Sequence, residues 1–165
     1  YSTPAVGTLT GNLDGSFTWA LPMGSTGTRT FTYRARDPGL ALSAPATVTV
    51  NVQANRPPTA VDDSFSAPRR TRSNPGSFPV VLAVLANDSD PDTAIDPTNR
   101  IDPATVTIVA QPNQGGTVTV NSSGTVPSPP KLNFRGTDPF SSRVRDNRGT
   151  PGAQSNAAVV RVNVQ

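Results

Sequence analysis

Asp88, Asp90 and Asp92 stand as Asp-Ser-Asp-Pro-Asp, with Asn87 before them and Asp96 and Asp102 after. Carboxylate and amide oxygens at this density suit a hard cation such as calcium, which takes six to eight oxygen ligands. The spacing is not that of an EF-hand. Thr93 occupies the position where that loop turns on glycine, and Asn99 the position of its bidentate glutamate. The alternative is a hydrophilic turn whose Asp side chains cap backbone amides. Asp62 and Asp63, just beyond Pro57-Pro58, and Asp37 and Asp146, each at the end of a late strand-like segment, are further candidate ligands.

Other chemistry is narrowed by what the chain lacks. Its 165 residues include no Cys and no His, and all 11 acids are Asp. That excludes Ser-His-Asp and Cys-His triads, thiolate nucleophiles, disulfides and ordinary zinc sites. Paired carboxylates alone can hydrolyse glycosides, but here the acids sit in turn contexts with no sign of a cleft. The expectation is a protein that is not an enzyme. Lys131 is the only lysine, so a Lys-Asn crosslink would have one donor, placed in a Pro-rich loop. The net charge of +3 comes from scattered arginines; the one dense cluster, Arg69, Arg70 and Arg72, lies among Pro68, Ser73, Asn74 and Pro75 and reads as a loop. No basic stripe with interleaved aromatics marks a nucleic-acid surface. No apolar run reaches the roughly 18 residues of a membrane span, so no membrane insertion is expected, and any export signal or anchor is expected outside these residues.

The elements that must hold these residues emerge when the chain is compared with itself. Gly7 to Asp37 aligns without a gap on Gly116 to Asp146, pairing Gly7 with Gly116, Asn12 with Asn121, Gly15 with Gly124, Phe31 with Phe140 and Asp37 with Asp146. After a short insertion in the second copy, Ala46-Thr-Val-Thr-Val-Asn-Val-Gln53 matches Ala158-Val-Val-Arg-Val-Asn-Val-Gln165. The chain therefore reads as the C-terminal half of one repeat, residues 1–53, followed by a complete repeat, residues 54–165. The joint is at 54–58, where Pro57-Pro58 forms a short, stiff connector.

Period-two alternation marks strands in both copies. Phe31, Tyr33 and Ala35 alternate with Thr30, Thr32 and Arg34, and Val48, Val50 and Val52 alternate with Thr47, Thr49 and Asn51. The complete unit gives seven candidate strands: Thr59 to Ser66, Val80 to Ala86, Val106 to Gln111, Gly116 to Asn121, Gly124 to Val126, Phe140 to Arg145 and Ala157 to Gln165. Seven short strands parted by Gly, Pro, Asn and Asp turns predict an all-β, two-sheet antiparallel sandwich. Two segments run against the pattern. Val126-Pro-Ser-Pro-Pro130 replaces Phe17-Thr-Trp-Ala-Leu21, and Asp138-Pro-Phe-Ser-Ser142 replaces Arg29-Thr-Phe-Thr-Tyr33, which predicts an irregular sheet edge because proline cannot donate to a ladder. Trp19, Phe31 and Tyr33 read as core packing, with a carbohydrate-stacking platform as the alternative.

Pro58-Thr-Ala-Val-Asp-Asp63, Val84-Leu-Ala-Asn-Asp-Ser-Asp-Pro-Asp92, Gly116-Thr-Val-Thr-Val120, Phe134-Arg-Gly-Thr-Asp138, Val144-Arg-Asp-Asn-Arg-Gly149 and Val160-Arg-Val-Asn-Val164 follow one another in this order. Together they resemble the bacterial immunoglobulin-like, cadherin-like tandem repeats of large surface proteins and adhesins. The resemblance implies an Ig-like or cadherin-like β-sandwich, extracellular at the cell surface, strung in arrays with neighbouring repeats of the same protein as its partners. It also implies that calcium stiffens the string, with Asp62, Asp63, Asp88, Asp90, Asp92 and Asp146 as its ligands. Against this, Arg56 stands at the joint, where a cation would prefer an acid. The arginines Arg34, Arg36, Arg143 and Arg145 are alternative partners for nearby Asp.

The leading expectation is a structural or adhesive spacer module. One rival is a filament subunit whose incomplete first sandwich is completed by strands from a neighbour, since an open edge and an uncovered apolar face invite association. A second is a binding module of a secreted enzyme.

Overall fold

Alternation of apolar and polar residues drives the chain into strands, and the strands take up the parity that the sequence dictates. A computed structural model describes residues 1–73, 79–149 and 153–165. Among the described residues strands account for 42% with no helix, so the protein is all-β, of the Ig-like or cadherin-like sandwich kind. Its contacts fall into two units, Tyr1–Ala54 and Asn55–Gln165.

The first unit consists of two hairpins. Strand β1 (Thr8–Gly11) pairs antiparallel with β2 (Phe17–Ala20), and β3 (Gly27–Tyr33) with β4 (Ala46–Val52). Aromatic rings pack between them. Phe17 lies 5.0 Å from Phe31 and 5.7 Å from Tyr33, and Trp19 meets Phe31 edge-on at 5.8 Å. The Trp19 indole N–H donates to the Val6 carbonyl at 3.0 Å. Phe31 is buried and Phe17 and Trp19 half-buried in this packing, while Tyr33 meets Phe17 and stays exposed.

Among its described residues the second unit has six strands. A four-stranded sheet runs in the order β5 (Asp63–Ala67), β10 (Ala158–Val164), β9 (Gly136–Asp146), β7 (Ile101–Ala110), and β6 (Val80–Leu82) pairs with β8 (Val126–Ser128). All pairings are antiparallel except β5 with β10, which is parallel. In β10, Ala158, Val160, Val162 and Val164 are buried while Arg161 is exposed, as a half-buried strand requires. The three valines pack with Ala67, Leu82, Val84, Val106, Val118, Val126, Phe140 and Val144 into one core. Each fully buried Val or Leu contributes about 1.5–3 kcal/mol relative to exposure.

In the pairing of β3 with β4 and of β9 with β10, and in the adjoining turns, the two copies agree. Gly27 faces Val52 as Gly136 faces Val164, and Phe31 faces Val48 as Phe140 faces Val160. Thr28 Oγ1 donates to Asn51 Oδ1 at 2.9 Å, and Thr137 Oγ1 to Asn163 Oδ1 at 2.7 Å. The turns Asn12–Ser16 and Asn121–Thr125 share the same two backbone bonds, with Gly15 and Gly124 both in the left-handed region. A serine clamp recurs as well. Ala35 N–H donates to Ser43 Oγ (3.0 Å) and Ser43 N–H to the Ala35 carbonyl (3.0 Å), just as Val144 and Ser155 bond each other at 3.1 and 2.9 Å.

Several strand expectations need correction, including Gly124 to Val126, where the strand runs Val126–Ser128, and Val80 to Ala86, which is a strand only as far as Leu82. Gly116 to Asn121 forms no strand: Thr119 N–H reaches the Pro127 carbonyl and Asn121 N–H the Thr125 carbonyl, but Pro127 has no N–H to return. Thr59 to Ser66 begins as a single rung between Thr59 and Ser89, and the strand proper starts at Asp63. The segment Asp138 to Ser142 lies within the eleven-residue β9 and pairs regularly with β10, while its ladder to β7 shifts register between Ser142 and Ser141 and stops there, so the expected irregularity falls on that side alone. Pro139 is tolerated because the β7 ladder ends at the pair Ala110 and Ser141, so an N–H missing toward that side removes no rung. The Asn74-Pro75 flank of the basic loop lies outside the described residues.

Candidate functional site

Strand parity places the first acidic group. Asp63, Phe65 and Ala67 share the inward face of β5, so the pleat turns the Asp63 carboxyl toward the core edge, where it is only 8% exposed. Two bonds between Thr59 and Ser89, at 2.8 and 3.1 Å, bring the Asp88 loop alongside, and Asp88 Oδ1 accepts the Val61 N–H at 2.8 Å. Asp63 Oδ2 is buried with no hydrogen-bond partner. Burial and the neighbouring charge of Asp88 push the Asp63 carboxyl up to about 6, against an Asn87 hydrogen bond and with a further push from Asp62. Burial also raises Asp88, against the Val61 bond. Asp62 turns the other way. Its oxygens accept the Val159 N–H (2.8 Å) and meet Arg161 (2.9 Å), which hold it below the usual carboxylate range.

The second group gathers around the lead-in of the repeat. Asp92, 6% exposed, accepts the Arg56 backbone N–H on Oδ2 and the Arg56 Nε–H on Oδ1, both at 2.7 Å. Burial disfavours its ionised form, but these two bonds and the arginine charge outweigh it and keep Asp92 below its ordinary value. Asp90 Oδ1 caps the Asp92 N–H at 2.8 Å, while Asp90 Oδ2 is buried and unpartnered. Burial raises Asp90 first, and the Asp146 and Asp92 charges raise it further, against the Asp92 N–H bond and the Arg56 charge. Asp146 accepts the Asn55 amide at 2.8 Å on one oxygen and the Arg148 N–H at 2.9 Å on the other.

The six candidate ligands are thus divided: Asp62, Asp63 and Asp88 near the start of β5, and Asp90, Asp92 and Asp146 around Asn55–Arg56. Among the described residues, no three acidic side chains converge as a ready-made metal cluster. The remaining acids cap turns. Asp37 Oδ1 accepts the Ala41 N–H, Asp96 Oδ1 the Thr98 N–H and hydroxyl, and Asp102 Oδ1 the Ala104 N–H. The ion pairs among the described residues are Arg56–Asp92, Arg148–Asp96 and Arg161–Asp62, a different set of arginines from the four named in the sequence.

The two groups differ in what they offer a calcium ion. Around Asp63 the fit is good in kind: a buried carboxylate oxygen lacks any partner, and a second carboxylate beside it repels it, so a divalent cation would supply the charge the pair lacks. Around Asp92 the fit is poor, because both oxygens are already bonded to Arg56.

Sequence reasoning missed several residues that build the site. Asn99 donates to Asn55 Oδ1 at 2.9 Å and to Asp92 Oδ2 at 3.3 Å. Asn156 imitates a strand rung, donating to the Ala60 carbonyl at 2.7 Å and accepting its N–H at 3.0 Å. Side-chain amides that bond across 40 to 100 residues leave no periodic trace, and no local signal could have found them.

A family model described as the bacterial cadherin-like domain matches residues 55–165. Such domains are structural or adhesive modules of bacterial proteins, occur in surface proteins, are typically non-catalytic and generally bind calcium. No curated protein matches the chain. The family match covers more than half of the chain and starts at the residue where the second unit starts, and the chain belongs to the bacterial cadherin-like domain family.

Proposed function

We propose that the chain is a non-enzymatic spacer and adhesive module of an extracellular bacterial surface protein, made of half a repeat followed by a complete one and continued by neighbouring repeats of the same protein. The observation that carries this reading is the agreement between the two copies in the register of their last two strands, in their glycine turns and in the Ser43 and Ser155 clamps. A chain that repeats its scaffold builds length, since each repeat adds one more unit to the string. Calcium is the proposed cofactor, held by Asp63 and Asp88 with Asn87 beside them. When bound it would supply the positive charge that lets both carboxylates ionise. The chain's own residues do the positioning: β5 aims Asp63 inward, and the rung from Thr59 to Ser89 holds Asp88 against it.

Antibodies raised against residues 1–165 test the setting. They are expected to label intact cells of the producing bacterium, and external protease is expected to remove the signal. Labelling only after lysis would refute an extracellular spacer. Light scattering on the purified chain separates the filament alternative. A monomer at all concentrations is expected, and growth that disappears on deleting residues 1–53 would favour strand completion instead.

A further inference from the structure

Three carboxylates, Asp90, Asp92 and Asp146, and two amides, Asn55 and Asn99, surround the lead-in of the complete repeat, with one cation fixed among them. Arg56 holds its place through its backbone N–H on Asp92 Oδ2, its Nε–H on Asp92 Oδ1, and its Nη2 on the Pro91 carbonyl, each at 2.7 Å. Asp92 is 6% exposed and Asn99 7%, so both have surrendered most of their hydration. A buried carboxylate left without a positive partner is strongly destabilising, and the partner can be a metal ion or a guanidinium. Here the guanidinium is in possession. A divalent ion on Asp92 would have to displace a charge-assisted bond and a backbone bond together, then sit beside the arginine it had displaced. Two acceptors, Asp90 Oδ2 and Asn99 Oδ1, are left buried without donors at the same place, as expected where oxygens outnumber the hydrogens of a single arginine.

We propose that Arg56 is the resident cation of this lead-in, standing on Asp92 where an acid-rich loop would otherwise hold calcium, so that Asn55–Arg56 is locked onto the Asp90–Asn99 loop whether or not calcium is present. Calcium dependence in this chain then belongs to Asp63 and Asp88 alone. Removing the guanidinium leaves the buried Asp92 carboxylate without its positive partner, beside the unpartnered Asp90 Oδ2 and Asn99 Oδ1, and a divalent ion then takes the place of the arginine.

The test uses the full 165-residue chain, isotope-labelled, with calcium chloride as the probe and a chelator as the reference. In the native chain, the Arg56, Asp92 and Asn99 amides and the Arg56 Nε–H signal are expected to stay unmoved by calcium. In Arg56→Gln, the Asp92 and Asn99 amides are expected to shift, and titration calorimetry is expected to count one more calcium per chain than in the native protein. Movement of the native Arg56 and Asp92 signals on adding calcium would overturn the proposal, as would a folded Arg56→Gln that binds no additional ion. If Arg56→Gln fails to fold even in calcium, Arg56→Lys keeps the charge without the Nε bond; it is expected to bind no extra calcium, and an extra ion there would overturn the proposal. The Asp63 and Asp88 amides report separately on the calcium reading above, so either idea can fail without the other.

Discussion

Replacing Asp63 by asparagine removes a charge that the fold resists, and the size of the effect follows from the geometry. The carboxyl lies on the inward face of β5, with one oxygen buried and unpartnered and Asp88 beside it, which moves its titration from 3.8 to about 6. A folded-state value above the unfolded one means that the native chain holds the proton more tightly. Stability from this group is therefore full below about pH 4 and is lost as pH rises through about 6. Roughly two pH units at about 1.4 kcal/mol each amount to ~3 kcal/mol. In chelator at pH 7.5, Asp63→Asn is expected to be more stable than the native chain by up to that amount, and at pH 4 the two are expected to coincide. Calcium should reverse the order by stabilising the native chain more than the variant. Urea unfolding must be followed by backbone circular dichroism or by NMR, because Trp19, Tyr1 and Tyr33 all lie in the first unit and the second contains neither residue type. Equal stability of the two chains at pH 7.5 in chelator, or a less stable variant, would refute the reasoning.

Phe140→Ala is expected to cost about 3–5 kcal/mol in the same assay, since Phe140 is buried in the central strand β9 against Val160. Ser155→Ala leaves the buried Val144 N–H without its acceptor and is expected to cost about 1–3 kcal/mol, read as a lowered urea midpoint and faster exchange of the Val144 amide. Gly124→Ala meets two obstacles, a left-handed backbone and a Cβ that would lie 2.8–2.9 Å from Leu85 and Pro103, so the melting temperature of the second unit is expected to fall. Chelation of the native chain is expected to lower that melting temperature while leaving the Trp19 fluorescence transition unchanged.

Much of the scaffold was legible because repetition and parity are written along the chain. The offset between Gly7 and Gly116 anticipated the shared register of β3 with β4 and β9 with β10, and the alternation of Val160, Val162 and Val164 marked the buried face of β10. The serine clamps escaped notice because the stretch between Asp146 and Ala158 is three residues longer than its counterpart between Asp37 and Ala46, which hid the equivalence of Ser43 and Ser155. Gly116 to Asn121 was misjudged for a different reason: its own residues suit a strand, and the defect is the proline on its partner. At the site, composition revealed that acids were present but not how they divide. That division depends on a lead-in arginine meeting a loop 36 residues away, which no spacing rule describes.

The parallel pairing of β5 with β10 has a consequence for a chain under tension. The lead-in enters at the Asp63 end of the pair and the chain leaves at the Val164 end, beside Ala67. A pull on the two termini of this unit would therefore slide one strand along the other, loading the five residue pairs from Asp63 and Val160 to Ala67 and Val164 together instead of peeling them one by one. Bonds further along the same edge, from Arg69 N–H to the Gln165 carbonyl and from Gln165 N–H to the Ala67 carbonyl, extend the shared load to the last residue. Resistance of this kind is set by the rate of rupture rather than by equilibrium stability. A link in a string can thus be thermodynamically modest and still hold against a brief tug.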